Sequence, residues 1–390
     1  MRSASLSLCV GSLLTIFAAL GGTHAATLTV LYSFAGGSDG ANPQSGLVRD
    51  SQGSLYGSTV NGGVHGYGTI FKRGMNGRQI VFHALAGINE GAVPNGIHLD
   101  GAGNVYGSTV RGLQNASNGT VFKIAPDRTT TVIYTFPGGT YGTQPSGTLE
   151  GLFGTTLFGG LYNHGVVYHV NLKGDQAVLH AFNSADGAYP SGGVIADGAG
   201  NLYGTTSGGG AHGIGTVFKL APDGTETVLH SFCFPAQNPC PDGYGPTTGL
   251  SMDSAGNLYG TAPNGGAGAS GQGGTLFRVA PDGTTVVLHA FCSRRSCLDG
   301  TLPGPVTLNS AGAIYGVTQN GGLDCDAGHR GCGTVFKFVK GAYQVLHSFT
   351  GSDGAHPVGA LLLGGSSIIY GTTNSGGANG LGTVFKLSLQ

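Results

Sequence analysis

Acidic residues recur immediately before glycine, at intervals of about 50 residues. A carboxylate in this position can accept backbone N–H groups in a turn, while glycine supplies a positive φ and a following proline fixes the entry to a strand. A ring of such carboxylates could instead hold a cation. The acids are Asp39, Glu90, Asp186, Asp242, Asp299 and Asp353, with Tyr141 in the third repeat. Nothing in the sequence brings them together, so we expect turns and predict no metal and no cofactor.

Tyrosines and histidines recur with the same period. They are Tyr32, His83, Tyr134, His180, His230, His289 and His347. Histidine is the commonest general acid or base, but one copy in each repeat would separate these side chains too widely to share a substrate. We therefore expect hydrogen bonds between neighbouring repeats and predict no catalytic residue.

Six of the seven cysteines form three close pairs, Cys233 with Cys240, Cys292 with Cys297 and Cys325 with Cys332. Six cysteines allow 15 pairings, but closing a short loop costs the least chain entropy. We expect neighbour disulfides in an exported chain. Zinc is the alternative, although no pair has the two-residue spacing of a zinc knuckle.

The N-terminus has the pattern of a signal peptide. Arg2 precedes an apolar stretch from Leu6 to Leu20, and Thr23 and Ala25 are small residues at the positions that a signal peptidase recognises. We predict a signal peptide over residues 1–25 and a secreted mature chain, extracellular or periplasmic, over residues 26–390. No later segment is long enough to span a membrane.

Charge is scarce: 17 basic and 18 acidic residues give a formal net charge of -1. A chain without a basic surface lacks the positive charge that binds nucleic acid or anionic lipid. Nucleic acid and anionic lipid are therefore excluded as partners.

A Tyr-Gly or Phe-Gly pair occurs seven times, at Tyr56, Tyr106, Phe153, Tyr203, Tyr259, Tyr315 and Tyr370. Each pair is followed by a glycine-rich stretch, two β-branched strands and a short apolar run, which predicts four strands per repeat. Pro222-Asp223-Gly224-Thr225 places Asp-Gly where a two-residue hairpin turn needs positive φ. Glycine makes up 77 of 390 residues and no helical periodicity is present, so the chain is predicted to be all-β.

Seven four-stranded antiparallel repeats without helices are typical of a seven-bladed β-propeller. The chain begins with an outer strand, Thr27 to Phe34, and ends with a third strand, Gly382 to Leu387. We expect these ends to complete one blade between them, which closes the ring and removes free sheet edges. A single domain and a monomer follow from that closure.

The repeated string is clearest from Gly200 to Phe232, where Gly-Asn-Leu-Tyr-Gly-Thr-Thr leads to Gly-Thr-Val-Phe-Lys-Leu and then Val-Leu-His-Ser-Phe. It resembles the GloVer tandem repeat of secreted bacterial proteins. The resemblance covers nearly all of the mature chain. It implies an exported bacterial repeat protein and supplies no catalytic residues.

The cysteine loops are the one place where charge collects. Under the predicted strand order, all three loops emerge on the same face of neighbouring blades, and rigid charged loops suit a recognition surface. The candidate ligand-binding residues are Arg294, Arg295, Asp324, Asp326, His329 and Arg330. The alternative is that the disulfides only staple long insertions.

Two functions remain open. We favour a non-enzymatic binding or surface-interaction scaffold for an unknown extracellular glycan or protein, because no nucleophile, base and orienting group can be assembled from residues outside the repeat. The alternative is an extracellular polysaccharide hydrolase or lyase with its site at the axial mouth. Its only support is the fold, and the chain has no tryptophan for sugar stacking.

Overall fold

The computed structural model describes residues 26–87, 89–112, 118–233, 240–266, 273–323, 325 and 331–389, without the side chain of Arg295. The predicted signal peptide lies outside these ranges. Three short 3₁₀ turns occur within them, at Gly37–Asp39, Gly139–Tyr141 and Arg295–Cys297. None of the described residues belongs to a helix of the length and hydropathy that a membrane crossing requires.

The described residues otherwise form β-strands. The first half of the strands are β1 (Thr27–Ser33), β2 (Val48–Arg49), β3 (Leu55–Thr59), β4 (Thr69–Arg73), β5 (Gln79–Ala84), β6 (Ala92–Leu99), β7 (Val105–Arg111), β8 (Thr120–Ile124), β9 (Thr130–Thr135), β10 (Thr143–Glu150), β11 (Phe153–Phe158), β12 (Val166–Val170), β13 (Gln176–Ala181) and β14 (Ala188–Ala196).

The second half are β15 (Leu202–Gly208), β16 (Thr216–Leu220), β17 (Glu226–Ser231), β18 (Ser251–Met252), β19 (Leu258–Ala262), β20 (Thr275–Val279), β21 (Thr285–Ala290), β22 (Thr301–Leu308), β23 (Ile314–Asn320), β24 (Thr334–Val339), β25 (Ala342–Ser348), β26 (Leu362–Leu363), β27 (Ile368–Thr373) and β28 (Thr383–Ser388).

The strands form four-stranded antiparallel sheets in chain order. We call β2–β5, β6–β9, β10–β13, β14–β17, β18–β21 and β22–β25 repeat units 1 to 6, and β26–β28 together with β1 repeat unit 7. Units 3 and 4 are joined into one eight-stranded sheet through a parallel bridge between Thr148 and Gly193. The predicted all-β class and four-stranded pattern are confirmed. β1 pairs antiparallel with β28, from Thr27 opposite Ser388 to Ser33 opposite Thr383.

The first hairpins of units 1, 2, 4 and 5 are each built around an aspartate, and Asn309 takes the same place in unit 6. In unit 5, Asp253 Oδ1 accepts the backbone N–H groups of Ala255 and Asn257, both at 2.9 Å. Its Oδ2 accepts the Asn257 amide at 2.9 Å and the Tyr259 hydroxyl at 3.0 Å. The tyrosine of the Tyr-Gly pair is therefore tied to the turn that precedes it. Asp50, Asp100 and Asp197 make equivalent bonds.

The glycine of the Tyr-Gly pair leaves space for an aromatic ring on the next strand. Gly204 pairs with the fully buried Phe218, and a Cβ on Gly204 would lie 2.6 Å from Phe218 Cζ. Units 1, 2, 5, 6 and 7 have the same glycine–phenylalanine pair. Unit 3 places Gly154 opposite Tyr168.

The same rings connect neighbouring units. Phe182 follows the last strand of unit 3 and meets Phe218 of unit 4 edge to face, with 5.1 Å between ring centroids. Such contacts contribute about 0.5–1.5 kcal/mol beyond the burial of apolar area. Equivalent contacts join Phe34 to Phe71, Phe136 to Tyr168, Phe232 to Phe277, Phe291 to Phe336, and Phe349 to Phe385.

The prediction of a two-residue Asp-Gly turn at Pro222-Asp223-Gly224-Thr225 is wrong. Ala221 N donates to Thr225 O at 2.9 Å, and Gly224 N donates to Ala221 O at 2.9 Å. The loop therefore has three residues, and only its glycine is left-handed, with φ 86°. Proline fixes the first position of a type I turn, which requires no positive φ at the aspartate.

The two-residue turn occurs instead in unit 3, where the first hairpin is shorter than in the other units. Glu150 pairs with Phe153, and both intervening residues are left-handed, Gly151 with φ 54° and Leu152 with φ 70°. Leucine rarely adopts this conformation. Unit 3 therefore departs from the repeat in its backbone as well as in its sequence.

Replacing Gly204 by alanine should destabilise the protein, because the new methyl group collides with the buried Phe218 ring. Overpacking of this kind costs about 1–3 kcal/mol. Chemical denaturation of Gly204→Ala should report that loss. Gly198→Ala, in the exposed first hairpin of the same unit, is the control, because nothing lies within 4 Å of its Cβ. Equal midpoints for the two variants would contradict the assigned role of the glycine.

Candidate functional site

The cysteine loops contain the three predicted disulfides, Cys233–Cys240, Cys292–Cys297 and Cys325–Cys332. Asp242 lies close enough to Cys233 and Cys240 for the three to form a potential metal-binding group. Sulfur atoms bonded to each other are not thiolates, and zinc binds the thiolate. The disulfide interpretation therefore replaces the zinc alternative at this pair.

Most of the predicted charged site lies outside the described residues. Asp324, Asp326, His329 and Arg330 belong to that part of the chain, and only the backbone of Arg295 is described. Arg294 is exposed. The structure thus places one side chain of the predicted set and does not bring the set together.

The recurring acids and histidines are partners of one another. His180 Nε2 lies 3.2 Å from Asp186, and the same pair occurs at His83–Glu90 (2.7 Å), His230–Asp242 (2.9 Å), His289–Asp299 (3.2 Å) and His347–Asp353 (2.9 Å). In unit 7 the Tyr32 hydroxyl donates to Asp39 at 2.7 Å. Each pair joins a fourth strand to the loop that enters the next unit.

These carboxylates also accept backbone N–H groups of their own loops, as predicted. Asp299 is fully buried and accepts the N–H groups of Ser293 at 3.1 Å and Arg294 at 3.3 Å. Burial by itself would raise its pKa, but the hydrogen bonds from His289 and Ser293 prevail and lower the pKa to about 2. A carboxylate held in this way fixes its loop and has little capacity left for a cation.

Loops at one end of the strands form a continuous surface, which we call the entry face. It consists of the loops between the second and third strands of each unit and the loops that enter the next unit. Within unit 3 the two kinds of loop are joined by Gly160 N donating to Gly139 O at 3.0 Å. Between units 3 and 4 they are joined by Tyr189 N donating to His164 O at 2.8 Å. The cysteine loops belong to this face.

In every unit a residue with left-handed backbone precedes the proline that leads into the first strand, and only in unit 5 is that residue a glycine, Gly245. Tyr189 has φ 59° and its N–H bonds the preceding unit. Left-handed backbone is costly for a residue with a side chain, above all before proline, and the hydrogen bond between units offsets that cost. We call these residues the mouth ring: Asn42, Val93, Gln144, Tyr189, Gly245, Leu302 and His356, with φ between 52° and 64°.

The first strands line a central cavity of about 670 Å³. Val93 and Leu302 of the mouth ring line it directly. Among the described residues that line it, Glu150 is the single ionisable side chain, and it lies at the far end of β10 from the entry face. The cavity wall is thus almost neutral and rich in glycine, serine, threonine and valine.

Units 3 and 4 together present an aromatic surface that could not be recognised from the sequence. We define the aromatic ledge as Phe158 and Tyr162 of unit 3 and Tyr189 of unit 4, which are 37%, 52% and 36% exposed. The centroids of the Phe158 and Tyr189 rings lie 5.5 Å apart, and that of His164 lies 5.7 Å from Tyr189. The signal in the sequence was the presence of aromatic residues at positions 158 and 162, where units 1, 4 and 7 have asparagine, glycine, serine or histidine.

A second unpredicted group is Glu226, at the start of β17. Its side chain is half-buried and its Oε1 has no hydrogen-bond partner among the described residues. Burial, together with the negative charge of Asp186, raises the pKa of Glu226 to about 7. This carboxyl lies between units 3 and 4, next to the His180–Asp186 pair and away from the cavity lining.

The raised pKa of Glu226 has a consequence for stability. The folded state holds its proton more tightly than the unfolded state, where the pKa is 4.5, so stability should fall as the pH rises from 4.5 to about 7. Glu226→Gln should therefore raise Tm relative to the parent at pH 8, and the gain should shrink at pH 5. Glu150→Gln, which removes an exposed carboxyl, is the control. A gain that is equal at both pH values would contradict the assignment.

The chain is similar to known proteins in its repeat and in its fold. A family model described as the Gloeobacter/Verrucomicrobia repeat matches residues 15–152 and 150–326. No curated protein sequence matches the chain.

The fold is similar to that of known propeller proteins. Virginiamycin B lyase from Staphylococcus aureus has a TM-score of 0.63 and 14% identity over 94% of this chain and 100% of that chain. A streptogramin B lyase has a TM-score of 0.62 and 13% identity over 94% of this chain and 99% of that chain. The extracellular domain of a hybrid two component system from B. thetaiotaomicron has a TM-score of 0.57 and 16% identity, over 94% of this chain and 43% of that chain. At these identities the likeness concerns the fold alone, which is a β-propeller, and the repeat match shows that the chain belongs to the Gloeobacter/Verrucomicrobia repeat family.

Proposed function

We propose that this protein is a secreted seven-bladed propeller that binds an extracellular glycan or protein through its entry face and catalyses no reaction. The observation that carries the proposal is the neutral lining of the central cavity, where Glu150 is the single ionisable side chain among the described residues. Glycoside hydrolysis uses a pair of carboxyl groups, one as general acid and the other as base or nucleophile. The described lining offers no such pair.

Closure of the ring is supported by the contacts between units 7 and 1. Phe34 N donates to Gly382 O at 3.0 Å, which repeats the bond from Phe182 N to Gly165 O at 3.1 Å between β13 and β12 of unit 3. Pro43 of unit 1 packs on Gly382 with its Cδ 2.6 Å from the position of an added Cβ.

A second set of contacts joins the same two units. Asn42 N bonds Leu381 O at 2.9 Å, and the Thr372 hydroxyl bonds Ser45 O at 3.0 Å. The first is the mouth-ring bond that every other pair of neighbouring units makes. We therefore propose seven blades, with the repeat units as blades and one domain over residues 26–390.

Export is supported by chemistry and by family. Three disulfides form and persist in oxidising compartments, and the repeat family is bacterial. Both agree with an extracellular protein. We propose that residues 1–25 are the signal peptide and that the mature monomer begins at Ala26.

Removal of β1 tests closure. Deleting residues 27–34 from the mature chain exposes the edge of β28 and removes the Phe34–Phe71 contact. An exposed strand edge templates association, so the truncated protein should aggregate or lose cooperative melting, as followed by light scattering and calorimetry. Deleting Gln390 alone, beyond the last strand, is the control. A cooperative melt of the truncated protein at the parental temperature would contradict closure.

Binding without turnover is tested by capturing ligands from glycan and protein fractions with the mature chain and analysing their mass afterwards. The ligand should be recovered chemically unchanged. A cleaved ligand, or one with an eliminated bond, would favour the hydrolase or lyase alternative.

The charged cysteine loops are proposed as part of the binding face. Replacing Arg294 and Arg295 together with Asp324, Asp326 and Arg330 by serine should weaken capture while Tm stays nearly constant, since exposed side chains change stability by about 0.5 kcal/mol or less. Asp223→Ser with Asp282→Ser, on hairpins at the opposite ends of the strands, is the control. If the loop variant bound as tightly as the parent, the proposal would be wrong, and the loops would be insertions that the disulfides only hold in place.

A further inference from the structure

The side chains of the aromatic ledge are exposed, although the fold does not require aromatic residues at these positions. Tyr162 and Leu161 stand at the tip of the loop between β11 and β12, 52% and 69% exposed. Large apolar side chains grouped at a surface usually mark a site of interaction. The ledge continues towards the central cavity, because Tyr189 lies two residues before Ser191, which lines it.

The other repeat units provide an internal comparison. In unit 3, Gly165 N bonds Gly159 O at 3.0 Å, and the corresponding loops of units 1, 4 and 7 make the same bond at 2.9 to 3.0 Å. The backbone of this loop is therefore repeated. At the position of Phe158 those units have Asn61, Gly208 and Ser375, and at the position of Tyr162 they have His65, His212 and Asn379. The aromatic residues in unit 3 are thus additions to a loop that folds without them.

The ledge is held in place before any ligand binds. Tyr189 N donates to His164 O at 2.8 Å, and the Ser207 hydroxyl donates to Tyr189 O at 3.1 Å. The ring of Tyr189 packs between Phe158 and His164 in edge-to-face contacts. Rings fixed in this way lose little conformational entropy on binding.

The three side chains of the ledge carry no charge. The loop that enters unit 3 has Tyr141 where each of the other entering loops has an acid. In the loop that enters unit 4, the carboxylate of Asp186 is paired with His180 at 3.2 Å. The ledge therefore presents aromatic faces and tyrosine hydroxyls, and none of its own groups would select an anion or a cation.

We propose that Phe158, Tyr162 and Tyr189 form a platform for a neutral polysaccharide. The faces of aromatic rings carry negative potential and attract the polarised C–H groups on the flat side of a pyranose ring. Sugar hydroxyls supply the hydrogen bonds that the hydroxyls of Tyr162 and Tyr189 can make. Tyrosine and phenylalanine here take the stacking role for which the chain has no tryptophan. The inference rests on the proposed binding function and names the ligand class.

Affinity electrophoresis of the mature chain tests the platform. The probes are soluble neutral polysaccharides cast into native gels: a mixed-linkage β-glucan, an arabinoxylan, a galactomannan and a starch-type α-glucan. At least one should retard the parent. Tyr162→Ser and Phe158→Ser should each weaken that interaction about tenfold or more, as expected for aromatic anchors. Tyr189→Phe should keep binding, whereas Tyr189→Ala should lose it.

The matched control is Val64→Ser, in the equivalent loop of unit 1, where Val64 is 70% exposed. It should bind as the parent does. Tm of every variant is measured alongside, and the highly exposed Tyr162 position keeps the test valid if Phe158→Ser unfolds.

Two results would overturn the platform: no retardation of the parent by any of the four probes, or retardation that Tyr162→Ser and Tyr189→Ala leave unchanged. In either case a protein ligand captured intact would preserve the proposed function. Conversely, retardation that depends on the ledge but is accompanied by cleavage of the probe would support the platform and overturn the non-enzymatic function.

Discussion

The contact between a strand glycine and an aromatic ring controls the packing of successive units. Gly204 has no side chain, so the Phe218 ring occupies the space above it, and the edge of that ring then receives Phe182 from the preceding unit. A side chain at the glycine would displace the ring and with it the contact between units. The same contact recurs between neighbouring units, except that Leu85 takes the place of the incoming ring between units 1 and 2.

A second constraint acts on the loops. The His–acid pairs and the mouth-ring hydrogen bonds both connect an entering loop to the unit before it, at His180–Asp186 and at Tyr189–His164 for example. The carboxylate is consumed by these bonds, as the lowered pKa of Asp299 reflects. The recurring acids therefore hold the entering loops in place and are not a ring of free carboxylates. The polar groups that remain free to bind a ligand on the entry face therefore lie at positions whose residue type is not part of the repeat.

The repeat could be predicted from the sequence because strand periodicity and Tyr-Gly spacing are local patterns. The neighbour disulfides and the pairing of β1 with β28 followed from chain entropy and strand order. The pairing of His230 with Asp242 could not be predicted in the same way, because the partners are 12 positions apart in the sequence, whereas His180 and Asp186 are six apart. The hairpin at Asp223 was predicted with the wrong loop length, since the proline before it sets a type I turn that the Asp-Gly dipeptide alone does not reveal. The ledge could not be predicted because a sequence does not state which aromatic residues stay exposed.

The exposed aromatic residues of the ledge are informative because the packing between units uses its aromatic residues in a regular way. Each unit buries one ring above its glycine, and every unit except unit 1, which has Leu85, buries a second ring just after its last strand. Phe158, Tyr162 and Tyr189 are not among them. The backbone of the mouth ring and of the loop tips is fixed by hydrogen bonds that are repeated from unit to unit. Because these bonds do not involve the side chains, the residue types at these positions can vary. Variation at such positions carries no requirement from folding, so the aromatic residues that accumulate there are best explained by what they contact outside the protein.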